Sequence, residues 1–167
     1  MAIATGDQIL AADVLAALAA VVVKIRKTAD EAVTNSTVLQ NDDHLVLPVG
    51  ANEVWEFTLL LLCVEDAPGV SAVLKHLFTI PAAGALYRVP LFAAAIQNSE
   101  EVYGTVQVTM SGTIIVSVPY MYYARYIYVG GANAGNVQLQ WAQRVAPGAG
   151  VKTTLLTNSC ILAHKLA

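Results

Sequence analysis

Histidines and cysteines are the residues of this chain most suited to metal or redox chemistry, and their spacing favours neither. The histidines His44, His76 and His164 lie on three separate segments of the 167-residue chain, whereas metal-ligand motifs have closely spaced ligands. Cys63 and Cys160 form no CxxC unit and lie in apolar segments, where cysteine behaves as a small buried hydrophobe. We therefore expect no metal site, no cofactor and no disulfide.

Acidic residues occur as three adjacent pairs in predicted loops, where solvated turn residues are the ordinary interpretation. A glycoside hydrolase needs two carboxylates facing one cleft, and neighbours in sequence do not supply them. The chain has no Gly-x-Ser-x-Gly nucleophile motif and no glycine-rich phosphate loop before a helix. We therefore predict that the protein is not an enzyme, with a polysaccharide-degrading enzyme as an alternative. The pairs are Asp42/Asp43, Glu65/Asp66 and Glu100/Glu101.

A cluster of tyrosines is the most conspicuous feature of the sequence. Tyr122, Tyr126 and Tyr128 share one strand parity, and Tyr123 takes the opposite face. Tyrosine provides a large contact area together with a hydroxyl group, which suits both protein interfaces and sugar binding. We predict that these four tyrosines contribute to a subunit interface, with sugar binding as the alternative.

The composition indicates an oligomer. Of all residues 56% are hydrophobic and only 13% are charged, against about 25% charged in typical soluble domains. Such an excess fits a membrane protein, an oligomer that buries subunit surface, or a monomer with alanine-rich usage. The apolar stretch Ile9–Val23 is alanine-rich and interrupted by Asp13, and a membrane span needs about 20 apolar residues. We therefore expect no membrane association and favour the oligomer.

The net charge and the N-terminal sequence argue against two further classes, which are nucleic-acid-binding proteins and secreted proteins. The net charge is -3, and the nine basic residues are scattered, so no electrostatic footprint for nucleic acid exists. Acidic Asp7 stands where a secretory signal would have basic residues, which predicts synthesis in the cytoplasm.

The N-terminal region is predicted to form a short helix over residues 13–20. Asp7 and Asp13 are suited to cap helical turns, and alanine-rich sequence follows. One face of this helix needs a partner, which is either its own domain or a surface to which the protein attaches. The apolar residues of this face recur at helical spacing and are Ile9, Leu10, Val14, Leu15 and Leu18.

After Lys24 the sequence consists of short β-rich runs separated by turn residues, which is typical of a sandwich or barrel. The run Thr58–Val64 is predicted to be a strand buried on both faces. We predict an all-β antiparallel sandwich of jelly-roll type, with residues 1–27 as an N-terminal arm and residues 28–167 as the sandwich. The predicted strands, of which this run is part of one, cover residues 32–39, 44–49, 53–64, 73–80, 85–89, 102–110, 113–118, 122–129, 136–145, 151–156 and 159–166.

Three segments resemble a diverse group of small bacteriophage virion proteins, which includes head-decoration, minor structural and tail-fibre-like proteins. The opening TGDQILAADVLAAL (Thr5–Leu18) is similar to the attachment leader of phage fibre and tail-associated proteins. The most specific segment is RKTADEAVTNSTVLQNDDHLVLPVGANEVWEF (Arg26–Phe57), and the third is GNVQLQWAQ (Gly135–Gln143) with the terminal strand ending in HKL. This group shares no catalytic motif, so the resemblance assigns no site residue.

The resemblance implies a virion protein, made in the host cytoplasm, that binds a major capsid or tail protein and itself as a homotrimer. The favoured function is capsid decoration, with attachment through the N-terminal arm. The alternative is a tail-fibre or receptor-binding module whose loops at residues 66–71, 97–101 and 130–136 contact host glycans.

Overall fold

The computed structural model describes residues 22–66, 74–89, 108–109, 118–146, 148 and 150–167. Within these ranges the chain forms eleven β-strands and no helix. The predicted N-terminal helix, with Ile9, Leu10, Val14, Leu15 and Leu18, lies outside the described residues. The strands are β1 (Val22–Arg26), β2 (Glu31–Thr34), β3 (Gln40–Val49), β4 (Val54–Glu65), β5 (Leu74–Thr79), β6 (Ala85–Val89), β7 (Val108–Thr109), β8 (Tyr120–Val129), β9 (Gly135–Gln143), β10 (Lys152–Leu155) and β11 (Cys160–Lys165).

The larger sheet contains seven strands arranged around β4. One edge of β4 pairs with β8 from Val54 to Cys63, and β8 pairs in turn with β6. The other edge of β4 is shared, because β11 pairs with residues 55–60 and β10 with residues 63–65. β1 lies beside β11, and β2 lies beside β10. All of these pairings are antiparallel.

The smaller sheet has the strand order β3-β9-β5-β7, in which β7 has only two residues. Its pairings are also antiparallel. From β3 to β10, consecutive described strands alternate between the two sheets. The prediction of an all-β antiparallel sandwich is therefore confirmed.

The core lies between the two sheets and follows from the period-two alternation of the strands. Phe57 of the larger sheet packs edge-on against Phe78 of the smaller one, with ring centroids 5.4 Å apart, and stacks on Tyr126 at 5.2 Å. Trp141, on the inner face of β9, is fully buried, as the alternating pattern of this strand predicts. Other buried residues of the core are Leu45, Leu47, Leu59, Leu61, Leu74, Leu86, Val137, Leu139 and Ile161.

Strand β4 corrects the prediction of a doubly buried strand. Every second residue from Trp55 to Glu65 is buried, whereas the residues between them, including Leu60 and Leu62, are half-buried. The reason is that the sandwich has two layers, and no described element covers the outer side of the larger sheet.

The region between residues 32 and 43 also differs from the prediction. The strand predicted over residues 32–39 ends at Thr34, because Asn35 adopts a left-handed conformation with φ 45°. The polar residues 40–43, predicted to form a turn, begin β3 instead. Pairing of β3 with β9 is irregular between Asn41 and Val46, where Asp42 turns inward and is buried.

Strand β1 lies inside the range predicted as the N-terminal arm. Its five residues pair with β11 from Val22↔His164 to Arg26↔Cys160. The described part of the arm therefore belongs to the larger sheet.

Candidate functional site

The side of the larger sheet that faces away from the smaller sheet carries accessible apolar side chains. We call it the outer face. Cross-strand pairs place Leu60 beside Tyr123, Leu62 beside Met121, and Thr58 between Arg125 and Leu162. The outer face comprises Thr58, Leu60, Leu62 and Val64 of β4, Met121, Tyr123, Arg125, Ile127 and Val129 of β8, Cys160, Leu162 and His164 of β11, and Tyr87 and Val89 of β6.

Large hydrophobic side chains on the outer face are unusually accessible. Met121 is 62% exposed, Leu162 41%, Val129 40% and Tyr123 39%. Eight large hydrophobic residues are exposed in the described chain, and these four are on the outer face. Single exposed apolar residues are normal, whereas a contiguous group marks an interaction surface.

A shallow open cleft of about 380 Å³ lies at one end of the outer face. The cleft combines aromatic residues, aliphatic side chains and charged groups, a mixture that suits either a protein partner or a sugar. Its lining residues are Glu56, Phe57, Thr58, Tyr123, Arg125, Leu162, His164, Lys165 and Leu166.

The charges in and beside the cleft are paired. Glu56 forms an ion pair with Arg125 across the β4–β8 pairing, and Lys165 donates to Glu53 Oε1 at 2.6 Å. Glu53 Oε2 also accepts bonds from the Gly50 N–H and from Trp55 Nε1. The Lys165 bond, followed by these two N–H groups, lowers the pKa of Glu53 to about 2. Among the described residues that line the cleft, Glu56 is the single carboxylate, whereas glycoside hydrolysis requires a pair.

The four tyrosines predicted at a subunit interface have three different environments. Tyr126 and Tyr128 are fully buried in the monomer, and their side chains fill the core instead of a surface. Tyr122 faces inward and is half-buried, with its ring 4.9 Å from that of His76. Tyr123 alone among the four is exposed on the outer face. The predicted division of these tyrosines between the two faces of β8 is correct. The sequence alone does not reveal which of the two faces packs against the core.

His76 is buried in the core beside the tyrosine side chains and does not reach the surface. Its Nε2 lies 3.0 Å from the Tyr126 hydroxyl oxygen, and its ring is fully buried. Burial, with a smaller effect of the Arg88 charge, lowers the pKa of His76 to about 3. His76 is therefore neutral at physiological pH and acts as a polar member of the core.

Lys27, Glu31 and Asp42 form a second polar site, which the sequence analysis missed. Lys27 Nζ lies 2.6 Å from Asp42 Oδ2 and 2.7 Å from Glu31 Oε2, and the Lys27 and Asp42 side chains are fully buried. Asp42 was predicted to be a solvated turn residue, and this interpretation is wrong because Lys27 draws its carboxylate inside. The sequence contains one signal for this site, which is that Lys27 and Glu31 lie four residues apart. Such spacing is typical of a pair on a helix, so it does not indicate a junction between strands.

The remaining candidate groups do not form a site in the described residues. Cys63 is buried and Cys160 partly buried; both thiols are free, and burial raises the pKa of both. Burial also raises the pKa of Glu65, whereas its neighbour Asp66 is exposed. Glu100 and Glu101 lie outside the described residues. No group of three or more potential metal ligands occurs within the described part.

Comparisons of the chain with protein-family models, with curated proteins and with solved structures found no match. In the described ranges no helix is long and apolar enough to cross a membrane.

Proposed function

We propose that this protein is a structural component of a bacteriophage particle and works as an oligomeric decoration protein on the outside of the capsid. The accessible apolar outer face is the observation that carries the proposal. A decoration protein binds the assembled lattice and adds buried surface to it, which stabilises that state selectively.

We also propose that the sandwich is of the jelly-roll type, which occurs in viral capsid and lectin domains. The strand order supports this assignment. Leaving aside β1 and β2, the first strand β3 pairs with β9, and the second strand β4 pairs with β8. β5 and β6 then pair with the free edges of β9 and β8. Nested pairing of this kind is what two Greek keys produce.

The proposed occupant of the outer face is a second copy of this chain. Glu56, which neighbours Thr58 in the outward row of β4, forms an ion pair with Arg125, so these two charges neutralise each other in such a contact. Lys24, opposite Leu162, lies on the edge strand β1. The apolar side chains nearest each other on the two strands are Leu60 and Leu62 of β4 with Tyr123 and Met121 of β8. Burial of apolar surface favours association, and a closed homotrimer buries it around one axis.

The proposed contact with the particle is the N-terminal segment, through Ile9, Leu10, Val14, Leu15 and Leu18. The segment precedes β1, and Val22 at the start of β1 pairs with His164, which lines the cleft. The chain therefore enters the sandwich at the edge of the outer face.

Substitutions on the outer face test the oligomer. Leu162→Lys and Met121→Lys place a charge in the proposed contact, and we expect both variants to become monomeric in light scattering while keeping their β circular dichroism. Val38→Lys is the matched control, because Val38 is 75% exposed and lies between β2 and β3, away from the outer face. A wild-type monomer, or oligomers that persist in both variants, would contradict the proposal.

The second candidate function is a receptor-binding module of the tail, and the cleft is the observation that favours it. Tyr123 provides a ring for stacking, and Glu56 and Arg125 provide hydrogen-bonding groups beside it. The nearby loop around residues 132–134 is exposed, while residues 97–101 lie outside the described ranges. Binding to a glycan array that is lost in Tyr123→Ala but retained in Tyr87→Ala would favour this candidate over decoration.

A further inference from the structure

A lysine amine and an aspartate carboxyl group face each other in a closed part of the fold. Lys27 directly follows β1 of the larger sheet, and Asp42 lies in the first half of β3 of the smaller sheet. Lys27 Nζ lies 2.6 Å from Asp42 Oδ2, with both side chains fully buried. Oδ2 is bonded to Cγ, which brings the amine close to the carbon of the carboxyl group. Reacting atoms held about 3–3.5 Å apart are in the range for bond formation.

The backbone holds Lys27 and Asp42 in place. The Lys27 N–H donates to the Ser159 carbonyl oxygen at 2.8 Å, and the Asn158 N–H donates to the Lys27 carbonyl oxygen. Gln138 Nε2 donates to the Asp42 carbonyl oxygen at 2.8 Å. The two reacting groups are therefore fixed by the β10–β11 turn on one side and by β9 on the other.

The Asp42 carboxyl group is arranged like the carbonyl of an acyl-transfer site. Its Oδ1 accepts two backbone hydrogen bonds, from His44 N–H at 2.9 Å and from Leu45 N–H at 2.8 Å. Two such donors stabilise negative charge that develops on an oxygen when its carbon is attacked. Oδ2, the other oxygen, faces the amine and is in the position of a leaving group.

Glu31 provides a third group, beside the amine. Its Oε2 accepts from Lys27 Nζ at 2.7 Å, while its Oε1 accepts from Gln40 Nε2 at 2.8 Å. The Glu31 side chain is 16% exposed and is therefore mostly shielded from water. A carboxylate within hydrogen-bond distance of the amine can carry a proton from the nitrogen to the departing oxygen.

We propose that Lys27 and Asp42 condense to an isopeptide bond between Nζ and Cγ, with Glu31 as the proton carrier. In the first step of this reaction one proton passes from Nζ to Oδ2, so that a neutral amine faces a neutral acid. The nitrogen lone pair attacks Cγ, and the π electrons of the C=O bond move to Oδ1, where His44 and Leu45 N–H hold them. Glu31 takes a proton from nitrogen and delivers it to Oδ2.

Oδ2 then leaves as water with the electrons of its bond to Cγ, and the C=O bond to Oδ1 re-forms. One ammonium and one carboxylate give one amide and one water, and Glu31 ends as it began. No oxidant, metal or co-reactant takes part. The bond ties the end of β1 to β3 and thus joins the two sheets, whichever partner the protein binds.

Intact mass spectrometry of the denatured full-length protein tests the proposal. We expect the wild-type mass to fall below the mass of its sequence by one water molecule. Lys27→Arg keeps a cation in the buried site but removes the nucleophilic amine, and its mass should match its sequence. Lys24→Arg, on the exposed side of β1, is the matched control and should retain the deficit.

Two further variants distinguish the chemistry from an ordinary ion pair. Asp42→Asn should lose ammonia in place of water, because the amide nitrogen is then the leaving group. Glu31→Gln should show the full mass or acquire the deficit more slowly.

Chymotryptic peptides on either side of Leu39 should remain joined through Lys27 and Asp42 in the wild type. Full mass in folded wild-type protein after prolonged incubation at neutral pH, or a deficit that persists in Lys27→Arg, would overturn the proposal.

Discussion

At the residue scale, the polar groups of this protein serve mainly to complete the fold. His76 is hydrogen-bonded to Tyr126 in the core, Glu53 joins the β3–β4 turn to β11, and Lys27 joins the two sheets. The surroundings of His76 and of Glu53 lower the pKa of each group. The pH dependence of stability therefore reports on them directly.

His76 predicts a loss of stability on mild acidification. Its pKa is about 3 in the folded protein against 6.5 ordinarily, so below pH 6.5 the unfolded chain binds a proton that the folded chain does not. Stability should fall from pH 6.5 downwards, by at most about 1.4 kcal/mol per pH unit, until about pH 3. Urea titrations of His76→Gln should show a weaker dependence over this interval, whereas His164→Gln, at an exposed histidine, should follow the wild type. Equal slopes for all three proteins would contradict the assignment.

Glu53 predicts a second loss of folding stability at acidic pH. Lys165 and the N–H groups of Gly50 and Trp55 hold its pKa at about 2, against an ordinary value of 4.5. Its stabilising contribution is complete above pH 4.5 and is lost as the pH falls towards 2. We expect Glu53→Gln to cost about 1 kcal/mol at neutral pH and to flatten the profile below pH 4.5, since charge-assisted hydrogen bonds are lost. Asp43→Asn, at an exposed carboxylate, is the control in the same unfolding assay.

At the element scale, strands bounded by strong turn signals were predictable from the sequence. Residues 85–89 form β6 as predicted, and the strand predicted over residues 73–80 is β5, which ends just before Pro81. The start of β3 was missed because a run of polar residues is typical of a turn, and its stabilisation by Lys27 depends on a tertiary contact. Likewise, the sequence places Tyr126 and Tyr123 on opposite faces, but which face is buried depends on where the second sheet packs.

The loops between β8 and β9 and between β5 and β6 approach each other closely at Gly131. A Cβ atom there would lie 2.4 Å from the Ala83 carbonyl oxygen, so a larger residue must displace backbone. We expect Gly131→Ala to cost about 1–3 kcal/mol in the free energy of unfolding, the range for overpacked sites. Gly135→Ala is the matched variant, because its nearest neighbour is Pro81 Cγ at 3.1 Å, and it should cost less. A neutral Gly131→Ala would contradict this close approach.

At the scale of the whole molecule, the low charge content agrees with a two-layer fold in which no described element covers the outer face. The sheets bury one face of each strand, but the outer face still exposes Met121, Tyr123 and Leu162. An accessible apolar surface of this kind suits the proposed role as a subunit of a larger assembly.

Deletion of residues 2–21 separates folding from attachment. β1 and Lys27 remain in this variant, so we expect its sandwich to keep its circular dichroism and its cooperative unfolding. Binding to phage particles that lack the protein should be lost, because the proposed attachment residues are removed. The quadruple variant Ile9→Ser, Leu10→Ser, Val14→Ser and Leu15→Ser should behave in the same way, and particle binding retained by both variants would contradict the role of the segment.

The central claim is that the protein belongs to a phage particle, and its copy number in purified particles tests this most directly. Quantitative mass spectrometry against the major capsid protein should give a ratio within a few-fold of one, as expected for decoration of the capsid lattice. A handful of copies per particle would favour the tail-associated receptor-binding function. Complete absence from purified particles would contradict the virion assignment.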